Sequence, residues 1–196
     1  NNRLSFDMFE NSEFIKICNF CGFLFIDRSS PHSESQICPN CNSISRERVV
    51  FFSLLNFFYK SDNILINNNP LLKDKVILEF SPRFNPSKKR IYDSTFFQYI
   101  SSDFEMKAHR GNIKIDLTNS KDIDENKNKF DIIICSHVVE HIEDYELALK
   151  NLSVLIGAKG VLLFQVPIVE ANYKLLQELE YHGDNTKVFH RFGFDI

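Results

Sequence analysis

The sequence predicts an α/β protein in which a parallel sheet with helices on both faces follows a small cysteine-rich module. Two observations support this prediction. Four of the five cysteines fall into two Cys-x-x-Cys pairs near the start of the 196-residue chain. Beyond residue 74, continuous apolar runs alternate with segments of helical periodicity, a pattern typical of strands joined by helices in a parallel sheet.

The cysteine pairs predict a zinc ribbon over residues 1–46. The pairs are separated by sixteen residues, a spacing at which two tight knuckles present four thiolates to one Zn²⁺ ion, leaving no open position for catalysis. A redox pair or unrelated buried thiols are the alternative. His32 lies between the pairs and is interpreted as a surface loop residue, with replacement of one ligand as the alternative, whereas Cys135, in the run FDIIIC, is interpreted as a small buried hydrophobe. The predicted ligands are Cys18, Cys21, Cys38 and Cys41.

Residues 47–74 are expected to form a connecting helix and a loop. The stretch RERVVFFSLLNFFYK carries apolar residues on most of a helical surface, so it predicts a largely buried helix. The following SDNILINNNP is rich in Asn and ends in Pro, as loops often do.

Residues 75–196 are expected to form the sheet domain. Each apolar run is short and bounded by polar residues, as expected for strands buried on both faces. The segment EDYELALKNLSVLI (143–156) predicts a helix between the last two strands. The predicted strands are KVILEF (75–80), FFQYISSDF (96–104), GNIKIDL (111–117), FDIIICSH (130–137) and GVLLFQVP (160–167).

Carboxylates follow successive strands of this predicted sheet. Glu79, Asp103 and Asp116 stand at or just beyond the strand ends, where ligands bind in open parallel sheets. Asp103 lies 24 residues after Glu79, at the end of the second strand, which suits an acid that accepts both hydroxyls of a ribose. The alternative for each aspartate is a helix cap or an Asx turn.

The motif run VILEFSP, YISSDFE, IKIDLT and FDIIICSHVVEHI, followed by GAKG and VLLFQVP, resembles the class I S-adenosylmethionine-dependent methyltransferases. The CPNC pair, RERVV and the closing FHRFGFDI resemble members of small-molecule type with a zinc-ribbon head. The resemblance covers about residues 75–196. It implies a Rossmann-like sheet and a nucleoside-binding cleft, with S-adenosylmethionine as methyl donor.

The resemblance also implies roles for individual residues. Asp103 would bind the ribose, Asp116 and Leu117 would lie beside the adenine, and the turn from Glu79 to Pro82 would lie near the amino-acid part of the cofactor. The full set of expected cofactor-binding residues is Glu79, Phe80, Ser81, Pro82, Asp103, Phe104, Asp116, Leu117, Ser136 and His137.

The chain departs from the family pattern at two places. The family's first turn reads Glu-x-Gly-x-Gly, whereas EFSPRFNPS contains no glycine; Ser81 is small enough to substitute, but Arg83 adds bulk. The sequence also stops about where a further helix and an antiparallel strand pair would complete the family's sheet. The expectation is therefore a C-terminus that is truncated or lacks its last strands.

Histidines are the candidate catalytic residues. Methyl transfer from a sulfonium mainly requires positioning of the acceptor and exclusion of water, but an oxygen or amine acceptor must still lose a proton, which His can accept near neutral pH. His137 directly follows a strand and is the first candidate; His141 is the second. The alternative for His141 is a residue that orients the loop, and the alternative for His137 is a residue that lines the cofactor without proton transfer. His190, in FHRFGF, is a weaker candidate on resemblance alone.

The same residues allow three other interpretations of the function. HVVEH matches the H-x-x-E-H zinc-peptidase string, but it follows a strand end rather than lying in a long helix. A nicotinamide-dependent dehydrogenase would need Gly-x-Gly-x-x-Gly, which is absent. A non-catalytic binding protein, in which the ribbon recognises a partner and the degenerate first turn holds no cofactor, is the main alternative.

Composition limits the partners. A net charge of −3, from 23 basic and 26 acidic residues, does not favour nucleic acid or an anionic membrane. The longest apolar stretch, residues 49–58, is interrupted by Ser53 and Asn56 and is too short to span a bilayer. No secretory signal is visible. We expect a cytoplasmic enzyme that methylates a small metabolite or glycan-type acceptor, with the ribbon either packing beside RERVVFFSLLNFF or contacting substrate.

Overall fold

A computed structural model of the chain places its residues in two compact units. The first unit comprises Asn1–Leu72 and Asn85–Thr95, and the second comprises Lys73–Phe84 and Phe96–Ile196. His32 lies outside the described residues. The structure describes residues 14–27, 36–67, 69–83, 85–93, 97–104, 111–168, 172–181 and 186–195.

The first unit combines a ribbon with short helices. Strands β1 (Phe14–Ile17) and β2 (Leu24–Asp27) pair antiparallel, with Phe14 opposite Asp27. Helix α1 (Ser45–Phe52) continues as a π-helical segment over Ser53–Phe58, and a 3₁₀ turn covers Pro70–Leu72. Helix α2 (Pro86–Asp93) completes the unit.

The connecting helix is buried along one side only. Val50, Phe51 and Leu54 are buried, but Phe57 and Phe58 are 62% and 55% exposed. The prediction of a largely buried helix is therefore correct for its inner side and wrong for these two phenylalanines. Apolar residues occupy a larger part of the helix surface than the part that the described residues bury.

The second unit is built on a parallel sheet of four strands in the order β4-β3-β5-β6. Helices α3 (Ser120–Glu125) and α4 (Tyr145–Leu155) lie in the connections. An antiparallel pair, β7 (Lys174–Tyr181) and β8 (Lys187–Arg191), follows the sheet. The parallel strands are β3 (Val76–Phe80), β4 (Gln98–Ser102), β5 (Phe130–Ser136) and β6 (Ile156–Gln165).

The Rossmann-like α/β prediction is confirmed by this sheet. The inner strands are continuous apolar runs because both of their faces are covered. Leu78 of β3 and Ile133 of β5 are fully buried in one cluster with Leu152 and Leu155 of α4. The β3–β5 register pairs Leu78 with Ile133 and Phe80 with Cys135, so the carboxyl ends of the two strands lie at the same edge.

Two expectations about single elements are corrected. GNIKIDL (111–117) is not a strand: Ile113 makes one parallel bridge to Ser102, and a few backbone and side-chain hydrogen bonds join residues 112–115 to the end of β4 where an extended ladder was expected. Among the described residues, β7 and β8 form a two-stranded sheet of their own rather than joining the parallel sheet, and the expectation of a truncated C-terminus or missing last strands stays a prediction. The last parallel strand begins at Ile156 rather than Gly160.

Candidate functional site

The strand ends of the second unit bring several predicted site residues to one edge of the sheet. β3 lies between β4 and β5, and its Phe80 is in register with Ser102 and Cys135. The residues that follow these partners are Ser81, Asp103 and Ser136. Because parallel strands end at the same edge, this arrangement corresponds to the usual ligand position of an open α/β sheet.

Glu79 is a largely buried carboxylate in this edge. Its side chain is 8% exposed, and its Oε2 accepts a hydrogen bond of 2.6 Å from the hydroxyl of Tyr99 on β4. A short O–H···O⁻ bond of this kind offsets part of the desolvation cost of a buried carboxylate. Tyr99 therefore fixes the orientation of Glu79, a role that the sequence analysis did not assign.

Asp103 is also buried, at 5% exposure, directly after β4. Gly111 packs closely against it: a Cβ added to Gly111 would lie 3.2 Å from the Asp103 backbone nitrogen. Asn112 accepts hydrogen bonds from both the backbone N–H and the hydroxyl of Ser101, each at 3.0 Å. The end of β4 is thus held by its pairing with β3 and by backbone and side-chain hydrogen bonds to Asn112 and Ile113.

Asp116 makes a local turn. Its Oδ1 accepts hydrogen bonds from the backbone N–H of Thr118 at 2.8 Å and from the Thr118 hydroxyl at 2.7 Å. Its own backbone N–H donates to Asp122 Oδ2 at 2.8 Å, and Leu117 is buried. One oxygen of the Asp116 carboxylate therefore forms the Asx turn that the sequence analysis gave as the alternative role.

The glycine-free turn after β3 adopts a conformation that glycine usually occupies. Ser81 has φ of 44°, in the left-handed region that disfavours residues with a Cβ. Its backbone N–H donates to the Ser102 carbonyl at 2.8 Å, and Pro82 is buried. Phe104, in contrast, is 62% exposed, with Lys114 Nζ 4.8 Å from its ring centroid.

Ser136 and His137 close the edge at the end of β5. The Ser136 hydroxyl donates to Gln165 Oε1 at 2.8 Å, and the His137 backbone N–H donates to the Gln165 carbonyl at 2.9 Å. His137 has φ of 55°, a value uncommon for a residue other than glycine. Such backbone strain often occurs at functional sites.

Two histidines flank one deeply buried carboxylate. Glu140 is 1% exposed, and its Oε1 lies 3.7 Å from His137 Nδ1 and 3.9 Å from His141 Nε2. The H-x-x-E-H string forms a 3₁₀ turn over Val139–His141 rather than the long helix that a zinc peptidase needs. The sequence analysis assigned no role to Glu140, although this string marked it.

His141 and His190 make hydrogen bonds that constrain their rings. His141 Nδ1 donates to the Lys187 carbonyl at 2.6 Å, so its Nε2 is the nitrogen that faces Glu140. His190 is 2% exposed; its Nε2 donates to the Ile142 carbonyl at 2.8 Å. Its Nδ1 therefore accepts from the Tyr173 hydroxyl at 2.9 Å. Both ring nitrogens of His190 are engaged within the fold, which leaves neither to abstract a proton from an acceptor.

The four predicted metal ligands come together in the first unit. Their sulfur atoms all lie within 4.8 Å of one another. The Sγ atoms of Cys18 and Cys41 are 3.6 Å apart, and those of Cys21 and Cys38 are 3.7 Å apart. A zinc–sulfur distance of about 2.3 Å in a tetrahedron requires sulfurs about 3.8 Å apart. The donor set therefore fits Zn²⁺.

Two similar knuckles produce this arrangement. The Gly22 N–H donates to the Cys18 carbonyl at 2.7 Å, and the Asn42 N–H donates to the Cys38 carbonyl at 2.9 Å. Gly22 and Asn42 have φ values of 72° and 57°, a conformation that Gly and Asn adopt more readily than other residues. Each Cys-x-x-Cys pair is thus followed by a residue suited to its turn.

A hydroxyl group lies beside two of the four sulfur atoms, where it can stabilise a thiolate. Ser43 Oγ lies 3.3 Å from Cys18 Sγ and 3.2 Å from Cys41 Sγ. The hydrogen bond from the Cys41 thiol is the main reason why the pKa of Cys18 is lowered to about 4, and the same bond raises the pKa of Cys41. Cys135 is different: it is fully buried on β5, and burial raises its pKa. Its behaviour agrees with the interpretation as a packing residue.

Among the described residues, the four cysteines are the one group of metal-ligating side chains close enough to share an ion. His137, Glu140 and His141 do not form such a group. No helix in the described part of the chain combines the length and apolar character that crossing a bilayer requires.

The parallel sheet, with carboxylates at the ends of β3 and β4, has the Rossmann-like α/β architecture, in which ligands bind outside the carboxyl ends of the strands. The family described as "Methyltransferase domain" matches residues 62–194, and the chain belongs to this family. The resemblance to class I S-adenosylmethionine-dependent methyltransferases is thereby confirmed at the level of the family.

Solved methyltransferase structures are similar to parts of the chain. The CurJ carbon methyltransferase shares 16% identity over 48% of this chain and 29% of its own, with a TM-score of 0.38. The trans-methyltransferase CalH, solved in complex with SAH, shares 16% over 57% and 34%, with a TM-score of 0.36. The DszA carbon methyltransferase shares 15% over 60% and 34%, with a TM-score of 0.42. The chain spans about a third of each. No curated protein matches it significantly.

Proposed function

We propose that the protein is an S-adenosylmethionine-dependent methyltransferase. The observation that carries the proposal is the pair of buried carboxylates, Glu79 and Asp103, at the ends of adjacent parallel strands. Ligands of open parallel α/β sheets bind outside the carboxyl ends of the strands, the edge at which both carboxylates stand. Membership of the methyltransferase domain family gives the class of ligand that this edge would hold.

We assign the cofactor contacts by resemblance to the family. Asp103 would accept the ribose hydroxyls, Asp116 and Leu117 would lie beside the adenine, and the turn from Glu79 to Pro82 would face the amino-acid part. Ser101, Asn112 and Gly111 support the position of Asp103, as described above. The remaining proposed contacts are Phe80, Phe104, Ser136 and His137.

S-adenosylmethionine would supply an activated methyl group with a good leaving group. The protein then has to orient the acceptor and, for an oxygen or amine, remove its proton. His137 is the proposed base because it follows β5 directly and has Glu140 beside its Nδ1. His141, whose Nδ1 is held by the Lys187 carbonyl, is the second candidate and is placed to orient the turn.

The proposed acceptor is a small metabolite or glycan-type molecule, and the proposed location is the cytoplasm. Neither nucleic acid nor membrane is expected as a partner, in line with the charge balance. The division into a ribbon (1–46), a connecting segment (47–74) and a methyltransferase domain (75–196) stays a prediction.

We also propose that Cys18, Cys21, Cys38 and Cys41 bind one structural Zn²⁺ ion. Support comes from the separations of 3.6 Å and 3.7 Å between paired sulfurs and from the Ser43 hydroxyl beside two of them. Groups that hydrogen-bond to metal ligands fix the orientation of those ligands. The ion would hold together a module with few residues to form a core of its own.

Calorimetry with S-adenosylmethionine tests the enzymatic proposal. The zinc-replete full chain is expected to bind the cofactor with a measurable heat, and S-adenosylhomocysteine should compete. Absence of binding at millimolar cofactor would reject the proposal. It would favour a non-catalytic zinc-ribbon binding protein, to which the glycine-free turn at Ser81 also points.

A further inference from the structure

We infer that the zinc site positions the helix that follows the cofactor turn, and that zinc binding and S-adenosylmethionine binding are therefore coupled through Asn85. The inference rests on the proposed function, which it extends by a regulatory link between the two ligands. Its basis is a set of contacts inside the first unit that start from helix α2 and from Asn85, which caps this helix.

Asn85 joins the start of α2 to a cysteine of the metal site. Its Oδ1 accepts hydrogen bonds from the backbone N–H groups of Ser87 at 3.0 Å and Lys88 at 3.2 Å, so it caps the helix. Its Nδ2 donates to the Cys41 carbonyl at 3.1 Å. Asn85 is 5% exposed, and one side chain therefore ties the helix cap to the second knuckle.

Two more residues on the same side of α2 contact the zinc module. Lys88 Nζ lies 3.0 Å from Glu47 Oε1 of helix α1, with side chains only 4% and 8% exposed. The Tyr92 ring lies 5.9 Å from the rings of Phe20, in the first knuckle, and Phe51, in α1. Positions 85, 88 and 92 follow helical spacing and share one face. This whole face of α2 is directed at the ribbon and its helix.

Glu47 adds a link back to the knuckle itself. Its other oxygen, Oε2, accepts the Ile44 backbone N–H at 3.0 Å. Arg48, the next residue, donates from its guanidinium to the carbonyls of Ser43 and Gln36, on either side of the second cysteine pair. The residues that α2 contacts are therefore linked to the backbone around the second cysteine pair, and bound zinc would fix the geometry of that backbone.

The cofactor turn leads directly into this helix. Ser81 precedes Asn85 by four residues, a length that spans at most about 14 Å. Ser81 has a left-handed φ of 44°, and a strained residue of this kind persists when the surrounding structure holds it on both sides. On one side, its N–H is bound by the Ser102 carbonyl. On the other side, the chain is anchored by Asn85, which makes Asn85 a positioning residue for the turn.

The test compares cofactor affinity with and without zinc in the full chain. Zinc removal by a chelator is expected to weaken S-adenosylmethionine binding at least about tenfold, and the cofactor should tighten zinc binding by the same factor because coupling is reciprocal. Zinc affinity is measured by competition with a chromophoric chelator. Equal cofactor affinity in the two forms, with the second unit still folded, would overturn the inference and leave the proposed function intact.

The substitution Asn85→Ser separates the link from the cap. Serine caps a helix about as well as asparagine but is too short to reach the Cys41 carbonyl. We expect about fivefold weaker cofactor binding, while the cobalt-substituted protein keeps the spectrum of four thiolate ligands. Asn119→Ser is the matched control, since Asn119 caps α3 with bonds to Lys121 and Asp122 and should leave cofactor affinity unchanged. Unchanged affinity in Asn85→Ser would remove Asn85 from the coupling.

Hydrogen exchange of residues 86–93 supplies a readout that needs neither cofactor nor variant. Zinc should slow exchange of the α2 amides in the unsubstituted protein, and chelation should speed it. If no cofactor binds to the zinc-loaded chain, the proposed function fails, while this measurement still decides the positioning of α2. Exchange in α2 that is independent of zinc would overturn the inference.

Discussion

Ser81 shows how one residue can satisfy a turn in which its family uses glycine. A side chain at φ of 44° crowds the following carbonyl, at a cost of about 1 to 2 kcal/mol. Ser81→Gly should remove that strain but add backbone freedom to the unfolded chain. We expect the free energy of unfolding to rise by up to about 1 kcal/mol, measured by urea denaturation.

Ser153→Gly is the control for this change. Ser153 lies in the last turn of α4 and is exposed, so glycine there should lower the free energy of unfolding by up to about 1 kcal/mol. Opposite signs for the two substitutions are the expected result. Equal destabilisation at both positions would show that Ser81 is not strained.

Asp103 carries the residue-level prediction about function. Asp103→Ala should weaken S-adenosylmethionine binding by on the order of 1 to 3 kcal/mol, because a buried polar partner is left unsatisfied. Isothermal calorimetry measures the change. Asp131→Ala is the control: Asp131 lies at the opposite end of the strands, where its Oδ2 accepts the Val76 N–H. A loss of affinity only at Asp131, or none at Asp103, would show that the ribose site lies elsewhere.

At the level of elements, the segment 111–115 demonstrates where periodicity misleads. Its alternation of Ile with polar residues predicts a strand, yet the pairing with β4 is a single bridge at Ile113 with a few backbone hydrogen bonds around it. Asn112 also accepts from the Ser101 N–H and hydroxyl, and the Ser102 hydroxyl accepts the Ile115 N–H. These side-chain hydrogen bonds take the place of the rest of the expected ladder.

Asn112 gives a test of this interpretation. Asn112→Ala should lower the free energy of unfolding by about 1 kcal/mol, since it removes the acceptor of two hydrogen bonds. Asn112→Asp keeps an oxygen at the same place and should cost less. Urea denaturation separates the two, and an alanine variant as stable as the parent would contradict the assigned role.

Other elements were predictable for clear reasons. KVILEF and FDIIIC are continuous apolar runs because β3 and β5 are inner strands with both faces covered. The cysteine spacing indicated the four-sulfur cluster because two Cys-x-x-Cys turns that bind one ion require a particular spacing of cysteines in the sequence. Spacing carries no such signal for Asn85, whose partner, the Cys41 carbonyl, is met only when distant segments fold together. The histidine partners of Glu140, in contrast, are its near neighbours in the chain.

At the scale of the whole molecule, the metal is expected to stabilise the first unit specifically. The core of the second unit, around Leu78, Ile133 and Leu152, includes no ligand cysteine, whereas the first unit gathers all four. Elemental analysis should find one zinc ion per chain. Structural zinc in small modules contributes on the order of 10 kcal/mol at neutral pH, so chelation should unfold the ribbon and leave a separate cooperative transition for the sheet.

Cysteine substitutions locate the ion within the chain. Cys41→Ser should abolish stoichiometric zinc binding and shift the thermal transition of the first unit to lower temperature, because three thiolates and a hydroxyl bind Zn²⁺ far more weakly than four thiolates. Cys135→Ala is the control, since Cys135 lies buried on β5, outside the cluster, and should keep one zinc per chain. Zinc retained in Cys41→Ser but lost in Cys135→Ala would place the ion in the sheet unit and contradict the four-cysteine site.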